Sequence, residues 1–190
     1  MIAQPSYLSP KAYIEAEKSS PVKHEYHDGQ VFATAGASDA HVTIVNNVSF
    51  VFKGHLRGKG CLSYSSDMKV RIEDMNRYYY PDLLVTCDDS DRQRQYEKQH
   101  PTLIVKVLSN STEAFDRGDK FHHYQRLETL QEYVLVSQRQ IRVEVFRKNQ
   151  SGLWVLHTSV EGESVTLTSI DLTVNIAAVY EDVVFSTASA

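Results

Sequence analysis

From Ser38 onward, Val42, Val45, Val48, Phe52 and Leu56 recur at steps of three and four and stop at Gly58. That spacing predicts an amphipathic helix with one apolar stripe. Upstream, "SPKAYIEAEKSS" offers Ser9 as an N-cap with Pro10 at the first helical position, which predicts a shorter helix. Between the two, Asp28-Gly29 in "HEYHDGQVFATAG" carries the signal of a type I′ turn joining two strands.

Further along, the period falls to two. In "CLSYSSDMKVRI" the residues Met68, Val70 and Ile72 alternate with polar neighbours, and "YYYPDLLVTC" continues β-rich across Pro81. The polar run from Asp88 to His100 predicts a surface loop. "PTLIVKVLS" is apolar almost throughout and bounded by Pro101 and a Ser/Asn/Thr cluster, so it predicts a strand buried on both faces. Lys106 stands in its middle. A buried ammonium is costly unless paired, so this residue requires a partner.

Thr112 predicts the cap of a helix running through Thr129, with Phe115, Tyr124 and Leu127 on its apolar side. "EYVLVS" and "RVEVFRK" then predict a hairpin, "LWVLHTSV" and "SVTLTS" a second antiparallel pair, and "NIAAVYEDV" a short last helix. This order predicts a mixed α/β (α+β) fold: a central mixed sheet flanked by helices, with an antiparallel C-terminal extension. With no repeat or long linker, residues 1–190 read as a single domain.

Composition narrows the function classes. Hydrophobic residues make up 42% of the chain, enough for a sizeable core. A net charge of -4 gives no overall attraction for nucleic acid, so any DNA-binding face must be a local basic patch. Lys53, Arg57 and Lys59 in "KGHLRGKG" are the candidates; a solvated helix terminus is the plainer reading. Cys61 and Cys87 have no metal-ligand spacing and are expected to be reduced thiols. The chain start lacks a basic segment followed by an apolar one, and no run of about 18 apolar residues occurs, so a cytoplasmic protein without membrane contact is expected. His24, His27, His122 and His123 lack the further ligands zinc requires and are expected at or near the surface. No Ser/His/Asp arrangement, P-loop or dinucleotide fingerprint is present.

Candidate chemistry centres on Asp82, held by Pro81 at the mouth of a buried strand. Ile104, Lys106 and Leu108 share one face of the next strand. A carboxylate at position 106 beside Asp82 would make an oxygen-rich Mg²⁺ site, yet the sequence puts a cation there. Asp116 and Lys120, four apart on one helical face, read on their own as a solvated ion pair.

Taken together, "YYYPD", "PTLIVKVLSNST", "DRGDK", "QEYVLV" and "RVEVFR" occur in an order and spacing that resembles the "putative restriction endonuclease" family of the PD-(D/E)XK nuclease superfamily. "HEYHDGQVFATAGAS", "AHVTIVNNV" and "SSDMKVRI" upstream and "LTVNIAAVYEDV" downstream extend the resemblance over nearly the whole chain. It implies a restriction-endonuclease-like fold, a homodimer, and phosphodiester hydrolysis of DNA with Mg²⁺ or Mn²⁺. It also implies roles: Asp82 as a metal ligand, position 106 as the acidic member that the family sets as glutamate, and Lys120 in place of the superfamily's strand lysine, whose position is Leu108. Glu25 and Asp67 match acidic positions expected to line the same cleft and to complete the metal set. His41 falls in a matching block without an assigned role. In this scheme the metal polarises the phosphate and acidifies a bound water, while the lysine steadies charge. Lys106 departs from the pattern. Its ammonium either takes the metal's place beside Asp82 or stands in for the strand lysine. The chain therefore reads as an endonuclease whose activity is in question; the alternative is a non-catalytic nuclease-fold protein that binds nucleic acid or a protein partner.

Overall fold

The computed structural model describes residues 7–34 and 36–185. Helix α1 (Pro10–Glu17) starts as expected, with the Ser9 hydroxyl accepting from Ala12 N–H. Strands β1 (His24–His27) and β2 (Gln30–Ala33) form an antiparallel hairpin. Asp28 and Gly29 at its tip both have positive φ, 42° and 95°, as a type I′ turn demands. Helix α2 (Asp39–His55) is capped by Ser38 and buries Ile44, Val45, Val48 and Phe52. Val42, expected on the apolar stripe, is 47% exposed because the buried face is narrower than the sequence spacing suggests.

Strands β3 (Leu62–Ser65), β4 (Lys69–Ile72), β5 (Arg77–Tyr79) and β6 (Leu83–Thr86) follow. The stretch expected to be a surface loop contains α3 (Asp89–Arg92) and β7 (Glu97–Lys98), and two of its charged residues, Asp91 and Lys98, are buried. Both are satisfied internally. The Asp91 carboxylate accepts from Thr86 Oγ1 at 2.9 Å, Gln99 N at 2.8 Å and His100 N at 3.0 Å. Lys98 Nζ donates to the Asp91 carbonyl at 2.6 Å. Polarity signals exposure only where the side chain lacks such backbone partners.

Strand β8 (Pro101–Leu108) is followed by α4 (Glu113–Arg117) and α5 (Asp119–Tyr124), where one helix from Thr112 to Thr129 was expected. Gly118, at ψ −106°, breaks the run, and the Thr112 side chain makes no capping bond. Strands β9 (Glu132–Ser137) and β10 (Arg142–Lys148) form the expected hairpin. The second expected pair does not form: β11 (Trp154–Val160) pairs with β10, while β12 (Ser164–Leu167) pairs with β13 (Leu172–Asn175). Helix α6 (Ile176–Val179) ends the described architecture.

Two main sheets result, ordered β2-β1-β5-β4-β7 and β11-β10-β9-β8-β6-β3. In the larger one, β8 runs antiparallel to β6 and parallel to β9, which makes it a mixed sheet. One face of β8, with Val105 and Val107, packs against α2, the β12–β13 ribbon and α6. Its other face, with Ile104 and Leu108, packs against the smaller sheet and α5. β8 is thus buried on both sides, and Lys106 lies on the second face.

Cys61 and Cys87 form a disulfide, contrary to the expectation of two reduced thiols. The antiparallel register pairs Leu62 with Thr86, so the next residue outward on each strand stands opposite the other. A separation of 26 residues along the chain gave no hint of this adjacency.

Candidate functional site

Asp82 is fixed from both sides before its side chain is considered. Its N–H donates to the Val105 carbonyl at 3.1 Å, and its carbonyl accepts from Ser66 N–H at 3.0 Å. The backbone therefore aims the carboxylate across β8. Asp82 Oδ2 accepts from Val107 N–H at 2.7 Å and faces Lys106 Nζ at 3.0 Å. Oδ1 lies 3.2 Å from His41 Nε2. The Gln138 amide, 3.3 Å from His41 Nδ1, also donates to the Leu108 carbonyl at 2.7 Å. If Gln138 donates to Nδ1 as well, the His41 proton sits on Nε2 and points at Asp82.

Lys106 is 8% exposed and its ammonium also approaches the Tyr80 carbonyl at 3.4 Å. Burial works against its charge, but Asp82, with Asp116 and Glu25 beyond it, outweighs that and holds Lys106 above the ordinary lysine range. Burial likewise pushes Asp82 toward the neutral acid, and Lys106, His41 and the Val107 amide reverse this, holding it below the usual carboxylate range. The pair is ionised. It supplies the partner that a lysine inside an apolar strand requires.

Lys120 completes the cluster from α5. Its ammonium sits 2.8 Å from Glu25 Oε1 and 3.4 Å from Asp116 Oδ1, between the rings of Tyr79 and Phe115 at 5.1 Å each. Glu25, on β1, also accepts from Tyr80 N–H at 3.3 Å. The Asp116–Lys120 pair is buried, not the solvated pair expected from spacing alone. Both Asp116 carboxylate oxygens lack a hydrogen-bond partner.

Asp82, Lys106, Lys120, Glu25, Asp116 and His41 all line one cleft of about 430 Å³ between the two sheets. Asp67 does not. Its side chain is 83% exposed at the β3–β4 turn and pairs with Lys23 at 2.6 Å, and it is Lys23 that reaches the cleft wall. Leu108, at the superfamily's lysine position, belongs to the core. Lys53, Arg57 and Lys59 lie at the far end of α2, a helix of 17 residues and hence about 25 Å long. Gln138, missed from sequence, belongs to the β9–β10 turn, and no local pattern marks it. His41 had a signal in its block but acquires a role only through the distance to Asp82.

The donor set does not fit a divalent cation. Among the described residues no three His, Cys, Asp or Glu side chains are arranged to hold one. Asp82 is already engaged by an amide, an ammonium and an imidazole, and that ammonium would repel a dication. Magnesium wants near-octahedral oxygen ligands at about 2.0–2.1 Å.

A mixed sheet of this topology, with an acidic and basic cleft beside its central strand, defines a restriction-endonuclease-like fold. The structure is similar to a solved structure from Anabaena variabilis described as "a putative nuclease belonging to DUF820", with a TM-score of 0.68 and 15% identity over 88% of this chain and 96% of that one. The chain belongs to the Uma2 family, described as "Putative restriction endonuclease", whose model matches residues 10–177. Two relatives come from Synechocystis sp. "Uncharacterized protein slr1290" is 38% identical over 94% of each chain. "Uncharacterized protein sll1609" is 31% identical over 86% of this chain and 93% of its own. Among the described residues no helix is long and apolar enough to cross a membrane.

Proposed function

We propose that this chain uses the cleft to bind the phosphodiester backbone of DNA, without metal-dependent cleavage. One observation carries the reading: Lys106 Nζ lies 3.0 Å from Asp82 Oδ2, where the family pattern sets a glutamate to share a divalent ion with the aspartate. A glutamate plus a dication carries the same net charge as one lysine. The electrostatic environment offered to a phosphate is kept, while the Lewis acid that would activate water is not. Lys106 neutralises Asp82, and the lining as a whole is balanced, Lys23, Lys106 and Lys120 against Glu25, Asp82 and Asp116, so an entering phosphate is received by drawing Lys120 from Glu25 and Lys23 from Asp67.

The test compares the chain with Lys106→Glu by calorimetric titration of Mg²⁺ and Mn²⁺, plasmid nicking, and anisotropy of labelled DNA. The chain as it stands is expected to bind DNA, to give no heat with metal and to leave the plasmid intact, while Lys106→Glu gains metal binding. Metal-dependent nicking by the unaltered chain, or its failure to bind DNA, would overturn the reading.

Asp116 favours a second reading, metal-dependent cleavage. Its buried carboxylate has no hydrogen-bond partner on either oxygen and only the Lys120 ammonium at 3.4 Å beside it, which leaves it able to accept a cation. That reading requires Lys106 to leave Asp82, and it predicts metal binding by the unaltered chain that Asp116→Asn abolishes.

A further inference from the structure

The face of α2 opposite its buried side carries Val42, Asn46, Phe50 and Lys53, all exposed. At 3.6 residues per turn these four fall within an arc of about 80°. Arg57 continues the line one turn later. The stripe starts inside the cleft, whose wall includes Val42 and Asn46. It ends in a second hollow of about 290 Å³, where Lys53 and Arg57 meet Arg92 and where no carboxylate lines the wall. Between the two stands Phe50, 83% exposed, the most exposed of the large hydrophobic side chains among the described residues.

Cations at a helix C-terminus offset its dipole, which accounts for Lys53 by itself. Arg92 likewise stands in the last turn of α3 and is paired with Asp89 at 2.9 Å, but the dipole does not bring it to the hollow of Lys53 and Arg57, where the Gly60 carbonyl at 2.5 Å anchors it. Nor does it place an unpacked aromatic ring between a basic hollow and the cleft. Lys59 is not part of this arrangement, because its ammonium turns to His55 at 3.1 Å.

We propose that the outer face of α2 is a track for a single DNA strand leaving the cleft. Phe50 stacks on a base, and Lys53, Arg57 and Arg92 neutralise the phosphates beyond it. The proposal rests on the cleft being a DNA site and names the form of DNA it takes. Complementarity of charge selects the occupant: the chain is net -4, yet from Val42 through Arg57 there is no acidic residue and none lines the hollow, the nearest carboxylates being Asp39 one turn before Val42 and Asp89 against Arg92. An aromatic platform followed by a basic groove is how single strands are held without sequence readout.

The experiment measures anisotropy of a fluorescein-labelled oligothymidylate of about 12 nucleotides, within the usual span of single-strand site sizes, against a duplex of equal length. The variants are Phe50→Ala, the double variant Lys53→Ala/Arg57→Ala, and Lys23→Glu at the cleft rim, with thermal melting and oligomeric state followed for each. Phe50→Ala is expected to weaken single-strand binding about 5- to 100-fold with an unchanged salt slope. The double variant is expected to reduce the slope of log K against log salt by about 1.4.

Unchanged single-strand affinity in Phe50→Ala overturns the track, as does tighter binding of duplex that the stripe variants do not touch. Conversion of a dimer to a monomer by Phe50→Ala, with binding intact, assigns the face to a second copy of the chain and also overturns it. If only Lys23→Glu weakens binding, the track fails and the cleft stands. If only the stripe variants weaken it, the outer face of α2 binds DNA on its own, and both the cleft reading and a track that leaves the cleft fail.

Discussion

Lys106, on β8, and Asp82, the residue that precedes the neighbouring antiparallel β6, form an ion pair of 3.0 Å, with side chains only 10% and 14% exposed. Neither residue is there for stability in the way the surrounding valines and leucines are. Each offsets the burial cost of the other, and the flanking Val107 amide and His41 ring fix the carboxylate between them.

That mutual dependence makes single and double substitutions differ. Lys106→Ala leaves Asp82 buried without its counter-ion, held only by the Val107 amide and His41, and should cost about 3–5 kcal/mol in urea unfolding. Lys106→Met combined with Asp82→Leu removes both charges and should recover most of that loss, because replacing a buried ion pair by apolar groups is often close to neutral. Equal losses in the single and double variants would show that packing, not pairing, governs the position.

The pH dependence follows from signs. Asp82 is held below its unfolded range, so its contribution is present at neutral pH and is lost as pH falls below about 4. Lys106 is held above its unfolded range, so its contribution is lost as pH climbs past about 10.4. His27 behaves differently. Burial, with the nearby Arg77, pushes it down to about 4. The unfolded chain therefore takes up a proton that the folded one refuses, and stability should fall as pH drops from about 6.5 toward 4. Its ring packs on Phe32 at 4.7 Å and Tyr79 at 5.1 Å, so His27→Phe should keep the packing and flatten that slope. His123, also pushed down by burial, should leave a residual slope. Chemical denaturation across pH 4–7 reads both effects.

The disulfide closes a loop with its ends 26 residues apart. Chain-entropy arguments put its contribution at about 3.5 kcal/mol. Cys61→Ser/Cys87→Ser should lower the unfolding midpoint accordingly, and reductant should lower that of the unaltered chain to match.

Asp91 should be the most sensitive residue of the β6–β8 connection. Asp91→Ala removes the acceptor for the Gln99 and His100 amides and for Thr86 Oγ1. The loss should be about 3 kcal/mol, since hydrogen bonds to a charged group are worth roughly 1.5–3 kcal/mol each and partly rearrange. Hydrogen exchange should show protection lost first at Gln99 and His100.

Much of this was legible in the residues. Ser9, Ser38, Asp28-Gly29 and the apolar run to Leu108 announce their structures because the physics is local: a cap, a turn, a buried strand. The demand that Lys106 find a carboxylate was also legible, because an unpaired ammonium does not survive in such a strand. Features set by distant contacts were not. The break at Gly118 depends on how α5 docks against β8, and the pairing of β12 with β13 depends on which neighbour wins β11. The disulfide depends on strand register. Asp67 looked equivalent to Glu25 as an acidic residue, but it points outward from a turn, whereas Glu25 sits on a strand facing the cleft.

Glu25 comes from the smaller sheet, Asp82 and Lys106 from the larger, and Lys120 joins them from α5. The same charges that the proposed function assigns to a phosphate are therefore stitches in the seam between two halves of the molecule. A ligand that draws Lys120 away from Glu25 unpicks one of those stitches. Occupancy should consequently register as a change in how firmly the halves grip each other, well beyond the few atoms that touch the ligand.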